Sequence, residues 1–247
     1  MILRKNIIHS IILKIKQKIK MKTLFLHMPK CAGSSMRKIL KQKFKENYVK
    51  DYQSFYKSPK EEQNRLILKY IESPKKVKKN SFVFGHFYPV KYLGKNNLKK
   101  KEFRLITFLR DPLERLASHY SFWTYSKKDH YLWRKMNNEN WTFKEFCLSN
   151  EMKNFYSQYL IHVPISKFDF VGTQENIKQD WERLCKFLEI EFVELPKINE
   201  TPNQIIRNLL KKTPKQLIKK LSLQDKQEIE EFHSLDIELY KKIRDKK

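Results

Sequence analysis

Glycine is scarce in this chain: four in 247 residues, Gly33, Gly85, Gly94 and Gly172, against a usual share of about 7%. A chain so poor in glycine has a backbone reason for each one it keeps. Cysteine is scarcer still. Cys31, Cys147 and Cys185 are widely spaced, with no C-x-x-C; neither zinc nor a disulfide framework is indicated, and a reducing compartment is the simple inference. Long apolar runs are missing too. Residues 1–20 mix Ile and Leu with Lys, so they cannot span a bilayer, and no small-residue cleavage site follows them as in a secretory signal. A basic amphipathic helix lying on an anionic membrane is one reading of this extension. A disordered or packed extension is the other, or an early start site, since Met21 directly precedes the first strand. The expectation is a cytoplasmic protein with peripheral membrane contact left open.

Acidic residues are few, 27 Asp and Glu against 53 Lys and Arg, giving a net charge of +26. Such a field favours anionic partners, which include nucleotides, acidic glycans, nucleic acid and anionic membranes. The lysines are spread along the whole chain, so charge carries meaning only where it clusters. No helix-turn-helix, zinc-finger or RNA-recognition signature accompanies it, and no specific nucleic-acid partner is expected. No internal linker or repeat divides the chain. Residues 1–21 read as a basic extension and 22–247 as a single domain.

Two stretches carry chemistry. In Leu24-Phe-Leu-His-Met-Pro-Lys-Cys-Ala-Gly-Ser-Ser35, a β-prone apolar run precedes a segment with Met36, Ile39, Leu40 and Phe44 at helical spacing. The turn between them ends at a helix N-terminus, where unpaired backbone N–H groups and the helix dipole favour an anion. Gly33 lets the backbone approach that anion, Lys30 adds a mobile charge, and Ser34 and Ser35 add hydroxyl donors. The turn resembles a P-loop but lacks G-x-x-x-x-G-K-[ST], which disfavours a Mg-nucleotide triphosphatase or kinase. The plainer reading is a strand-to-helix turn with an N-cap serine.

The second stretch is Phe103-Arg-Leu-Ile-Thr-Phe-Leu-Arg-Asp-Pro-Leu-Glu-Arg-Leu-Ala-Ser-His-Tyr120. Phe103 to Leu109 fits a central strand of a parallel sheet. Asp111 then caps a helix, with Pro112 at its first position and Glu114 three residues after the cap. Arg110 lies at the strand's carboxyl end, where open α/β sheets place ligands, and its guanidinium suits a phosphate that Ser118 can share. The plainer alternative pairs Arg110 with Asp111 or Glu114 and leaves Ser118 on the surface.

Together, in this order, the two stretches look like the nucleotide-binding elements of sulfotransferases that use 3′-phosphoadenosine 5′-phosphosulfate (PAPS), in particular the carbohydrate branch that includes the heparan-sulfate 2-O-sulfotransferases. His27-Met-Pro-Lys-Cys-Ala-Gly-Ser-Ser35 is similar to that family's 5′-phosphosulfate loop, H-x-P-K-[TC]-[AG]-[GS]-[TS]-[ST]. Leu109-Arg-Asp-Pro-Leu-Glu-Arg-Leu-Ala-Ser-His-Tyr120 is similar to its 3′-phosphate element, R-[DN]-P-[VL]-x-R-x-x-S-x-[YF]. Phe84-Gly-His-Phe87, Phe168-Asp-Phe-Val-Gly-Thr-Gln-Glu-Asn176 and Leu195-Pro-Lys-Ile-Asn199 are weaker matches in the same order.

The resemblance implies that Lys30, Cys31, Ala32, Gly33, Ser34 and Ser35 hold the 5′-phosphosulfate and that Arg110 and Ser118 hold the 3′-phosphate. Lys30 would also stabilise charge on the leaving phosphate, and His86 falls where this branch keeps its catalytic base. PAPS is then the co-substrate, no metal is needed, and the acceptor is a hydroxyl, on a carbohydrate by analogy with the branch. Cys31 stands where Thr is frequent, and the Gly-His segment continues as Phe-Tyr-Pro. A kinase of P-loop type and a basic nucleic-acid-binding module are the alternatives.

The rest of the chain reads as helices around short strands. A capping box at Ser58 and Glu61 opens a helix to about Glu72, Trp141 to Tyr159 reads as one helix capped by Thr142 and Glu145, and Ser222 to Ile243 as one terminal helix. Phe168 to Gly172 is a short strand, and Ile177, Trp181, Leu184 and Leu188 form a core stripe. His27 reads as a strand-end packing residue, His119 as helix surface, and Trp123, Tyr125, His130, Tyr131 and Trp133 as either a sugar-stacking shelf or a packed helical insertion. Strands alternating with helices, with anion turns at strand carboxyl ends, predict an α/β fold: a P-loop-like, doubly wound parallel sheet flanked by helices.

Overall fold

The computed structural model describes residues 21–52, 60–95, 102–125, 130–196 and 213–245. Its strands are β1 (Lys22–Leu26), β2 (Tyr48–Asp51), β3 (Phe82–Gly85), β4 (Phe103–Leu109) and β5 (Phe170–Thr173). They form one parallel sheet in the order β2-β3-β1-β4-β5. Helices fill the connections: α1 (Gly33–Phe44), α2 (Lys60–Glu72), α3 (Val90–Leu93), α4 (Pro112–Thr124), α5 (Tyr131–Asn138), α6 (Phe143–Cys147), α7 (Phe155–Tyr159) and α8 (Ile177–Leu188). α9 (Pro214–Lys219), α10 (Leu223–Phe232) and α11 (Ser234–Arg244) follow. The expected parallel α/β sheet is therefore present.

Burial explains why the sheet is read as apolar runs. Leu24, Phe25, Leu26, Phe82, Val83, Phe84, Leu105, Ile106, Phe108 and Leu109 are all buried, as both faces of a parallel sheet require. One aromatic layer crosses it: the Phe25 ring lies 4.8 Å from Phe84 and 5.9 Å from Phe108, which lies 5.8 Å from Phe170. Gly172 has its reason here, because a Cβ would sit 2.3 Å from the Phe108 ring. β1 is central, so the turn that follows it opens at the middle of the sheet's carboxyl edge.

Three expected elements differ. The segment 141–159 is two helices, α6 and α7, because the Ser149 hydroxyl bonds back to Phe146 O at 2.8 Å and Asn154 takes φ 45°, a left-handed conformation that ends helical repetition. The Thr142–Glu145 capping box is present. The terminal helix is likewise two, broken at His233, whose ring accepts from Asn154 N–H at 3.2 Å and donates to Cys147 O at 2.8 Å. β5 begins at Phe170, two residues later than expected, because Asp169 spends its carboxylate on Leu105 N–H. Trp123 and His130 are packed, their rings 4.6 Å apart with His130 Nδ1 capping α5 through Leu132 N–H. Ser58, residues 1–20 and Pro202 to Lys212 lie outside the described residues. Among the described residues no helix is long and apolar enough to cross a membrane.

Candidate active site

The site is assembled where β1, β3 and β4 end. The turn after β1 places both Lys30 and Ala32 at positive φ, 69° and 59°, and Ala32 is the N-cap of α1. A methyl side chain cannot cap, and α1 starts with no side-chain cap hydrogen bond. The plainer reading, an N-cap serine, is thus replaced: Ser34 and Ser35 lie inside the first turn of α1, Ser34 exposed and Ser35 half-buried. Gly33 is required by close approach, since a Cβ would fall 2.1 Å from the His27 ring.

His27 is the packing residue expected. It is buried, its Nδ1 lies 3.1 Å from Tyr52 Oη, and its N–H continues the ladder onto Gly85 O at 2.8 Å. Burial first, then the His86, Arg37 and Lys30 charges, hold its pKa well below the usual imidazole range. Its carbonyl accepts a short hydrogen bond from His86 Nδ1. A carbonyl only accepts, so Nδ1 of His86 carries the proton and Nε2 is the acceptor nitrogen. His86 is partly exposed, packed 4.5 Å from the His27 ring and edge-on to Tyr52 at 4.6 Å. Desolvation, offset in part by the bond to His27, pushes its pKa down to about 4. Gly85 beside it leaves no room for a Cβ, which would lie 1.6 Å from Asp51 O.

The second turn follows β4. Asp111 caps α4 by accepting from Glu114 N–H at 3.0 Å, and Pro112 occupies its first position. The capping box is not reciprocal. Glu114 turns instead to Arg110, Oε2 to Nη2 2.8 Å, and the Asp111 N–H goes to Glu175 Oε1 at 2.9 Å. The Arg110–Glu114 pair is the plainer alternative realised, although it engages only one of the three guanidinium nitrogens. Ser118 is half-buried on α4, one turn before Phe122, and Phe122 carries the Lys30 ammonium over its ring at 4.5 Å. The Ser118 face of α4 therefore abuts the first turn.

His119 corrects an expectation: it is buried, not on the helix surface, with burial and the adjacent Arg115 charge holding its pKa well below the usual range. Arg115 donates to His119 Nδ1 at 3.3 Å and stacks on Phe155, 4.1 Å from the ring centroid. It is fully buried, and its Nε and Nη2 make no hydrogen bond among the described residues. Cys31 is buried too. Desolvation raises its thiol to about 11, which disfavours a reactive thiolate although Cys31 stands just before a helix N-terminus.

Tyr156 was not legible in the sequence. Its hydroxyl donates to Arg110 O at 2.7 Å, accepts from Arg110 N–H at 3.1 Å and lies 3.5 Å from Cys31 Sγ. One phenol thus joins the two turns. No local pattern points to it, since Arg110 and Tyr156 are 46 residues apart.

The arrangement is an α/β sheet with two strand-to-helix turns, after β1 and β4, and a neutral imidazole on one edge. The chain belongs to the Sulfotransferase family, whose model matches residues 14–242; its chemistry is transfer of a sulfuryl group. Among solved structures, the mouse sulfotransferase SULT7A1 complexed with PAP is similar at 10% identity over 91% of this chain and 89% of that one, TM-score 0.44. A sulfotransferase from Alicyclobacillus acidocaldarius is similar at 14% identity over 78% and 90%, TM-score 0.38. No curated protein matches the chain.

Proposed function

We propose that the protein transfers the sulfuryl group of PAPS to an acceptor hydroxyl, on a carbohydrate. The observation that carries this reading is the pairing of an uncapped helix N-terminus at Ala32–Ser35 with Arg110 across the Tyr156 hydroxyl. Two anion sites held apart by a fixed protein bridge suit a ligand with anionic groups at both ends. The similarity of the two turns to the 5′-phosphosulfate and 3′-phosphate elements supports one assignment of the ends.

In this reading Lys30, Gly33, Ser34 and Ser35, with the amides of Cys31 and Ala32, receive the 5′-phosphosulfate, and Arg110 and Ser118 the 3′-phosphate. Arg110 keeps donors outside its bond to Glu114 for that phosphate. Sulfuryl transfer is mainly in-line positioning and charge neutralisation. The acceptor oxygen forms a bond to sulfur as the bond from sulfur to the 5′-phosphate oxygen breaks. The acceptor proton passes to His86 Nε2, and the charge left on the 5′-phosphate is stabilised by Lys30 and the α1 amides. His86 is available for the base role because the His27 carbonyl fixes its tautomer and leaves Nε2 as the acceptor nitrogen, unprotonated near neutrality.

Thermal stability with adenosine 3′,5′-bisphosphate (PAP) tests the reading. At about a hundredfold excess over Kd, PAP should stabilise the protein by about 2.7 kcal/mol, and Lys30→Ala and Arg110→Ala should each remove most of that shift. A shift given only by ATP with magnesium would instead favour the kinase alternative. Labelled PAPS with a panel of glycans then identifies the acceptor.

A further inference from the structure

The Tyr156 side chain uses every hydrogen-bonding capacity of a phenol. A hydroxyl has one proton and two lone pairs; the proton is spent on Arg110 O, one lone pair on Arg110 N–H, and the second faces the Cys31 thiol. The Cys31 thiol, which donates to Pro29 O at 3.7 Å, lies 3.5 Å from that hydroxyl, so the phenol oxygen touches the turn after β1 as well. Arg110 is the first residue past β4, where the sheet no longer pairs the backbone. Tyr156 supplies the missing strand partner there, and the same oxygen reaches the turn that follows β1.

Tyr156 is itself held from behind. Asn154 at the start of α7 is left-handed and provides no side-chain cap. Asp236 of α11 caps the helix instead, one carboxylate oxygen accepting from Tyr156 N–H at 2.8 Å and the other from Ser157 N–H and Oγ at 3.0 Å each. Asp236 is fully buried. A second strut from α11 meets the same turn: Tyr240 donates to Glu175 Oε2 at 2.6 Å, and Glu175 Oε1 accepts from Asp111 N–H. The bridge is therefore anchored at both turns and at the C-terminal helix.

We propose that the Tyr156 hydroxyl is a positioning group that sets the distance between the two anion-binding turns, so that a nucleotide with phosphates at both its 3′ and 5′ positions is bound in preference to one with a single phosphate. This rests on the nucleotide reading above. A ligand anchored at one turn is indifferent to the spacing, whereas a ligand spanning both gains only if the spacing is preset.

The experiment is calorimetric titration of the full chain and of Tyr156→Phe with PAP and with AMP, which carries the 5′-phosphate alone. The substitution keeps the buried ring and removes only the bridge. We expect PAP binding to weaken about tenfold, the scale of a lost buried hydrogen bond, with AMP binding changed less than about twofold. Equal weakening of both ligands, or no weakening of PAP, would overturn the proposal, since a merely structural role lowers both alike. Failure of the unsubstituted protein to bind PAP would instead remove the nucleotide reading, and this proposal with it. If Tyr156→Phe does not fold, Cys31→Ala cuts the bridge at one end only; a selective loss for PAP over AMP supports the proposal, and an unchanged PAP-to-AMP ratio overturns it.

Discussion

At the residue scale, the proposed chemistry depends on which nitrogen of one imidazole holds the proton. His86 is neutral with Nδ1 committed to the His27 carbonyl, so the base role proposed for it should persist well below the usual imidazole range. The pH profile of kcat/KM should stay flat through pH 6.5 and fall only as pH approaches about 4, where His86 protonates. An acid limb centred near 6.5 would show that another group, or a differently solvated His86, limits the reaction. His86→Gln should lower kcat by about 10²–10⁴ while leaving the PAP-induced thermal shift in place, separating base from binding residue. The place of His86 at the carboxyl end of β3 was legible because a glycine and a histidine follow an apolar β-prone run. The reason it stays neutral was not: the His27 carbonyl is 59 residues away, and burial of the ring is a property of the packed edge.

At the element scale, local capping chemistry was readable and long-range capping was not. Asp111 with Pro112, Thr142 with Glu145 and Ser222 with Asp225 all cap the helices their spacing indicates. Glu114 and Glu175 exchange the roles a capping box would give one residue, because Arg110 draws Glu114 away. The break at His233 has the same origin, since its ring is held by Asn154 N–H and Cys147 O from another part of the chain, whereas the break before α7 is local, set by Ser149 and the left-handed Asn154. Glycine scarcity, by contrast, was a dependable guide. Gly85→Ala would drive a methyl into the Asp51 carbonyl, backbone against backbone. It should cost at least about 3 kcal/mol, the top of the usual range for overpacking, measured as a drop in the urea midpoint. A stability within about 1 kcal/mol of the parent, the scale of an ordinary surface or propensity change, would mean that β2 can move away from β3.

At the scale of the whole molecule, the buried histidines make stability depend on pH. His27, His86, His119 and His233 all have folded pKa values below the ordinary 6.5, with burial the leading cause in each. Between about 6.5 and 4 the unfolded chain binds protons that the folded one refuses, so stability rises with pH across that window. Their contribution is complete above pH 6.5 and is lost progressively as pH falls toward 4. Asp111 and Asp236, whose carboxyls burial raises above their usual range, act in the opposite direction and offset part of the effect. The thermal midpoint should therefore fall steadily from pH 7 to pH 4.5; a flat midpoint over that interval would show that these imidazoles protonate inside the folded protein. A parallel sheet and the two strand-to-helix turns could be anticipated from β-prone runs followed by helical spacing, whereas the strand order and the short strand β2 could not. Nor could the way α11 braces the two turns, because nothing local marks Asp236 or Tyr240 as partners of the sheet edge.

The dependence of Tyr156 on Asp236 also orders events in time. Asp236 emerges 80 residues after the tyrosine whose helix it caps, which at about 5–20 residues per second of synthesis is about 4–16 s. During that interval the nascent chain already holds both anion turns and the tyrosine, but α7 lacks its cap. A growing polypeptide of this protein would thus complete its strands first and brace the ends of β1 and β4 only when α11 has been made, as one late event in its biogenesis.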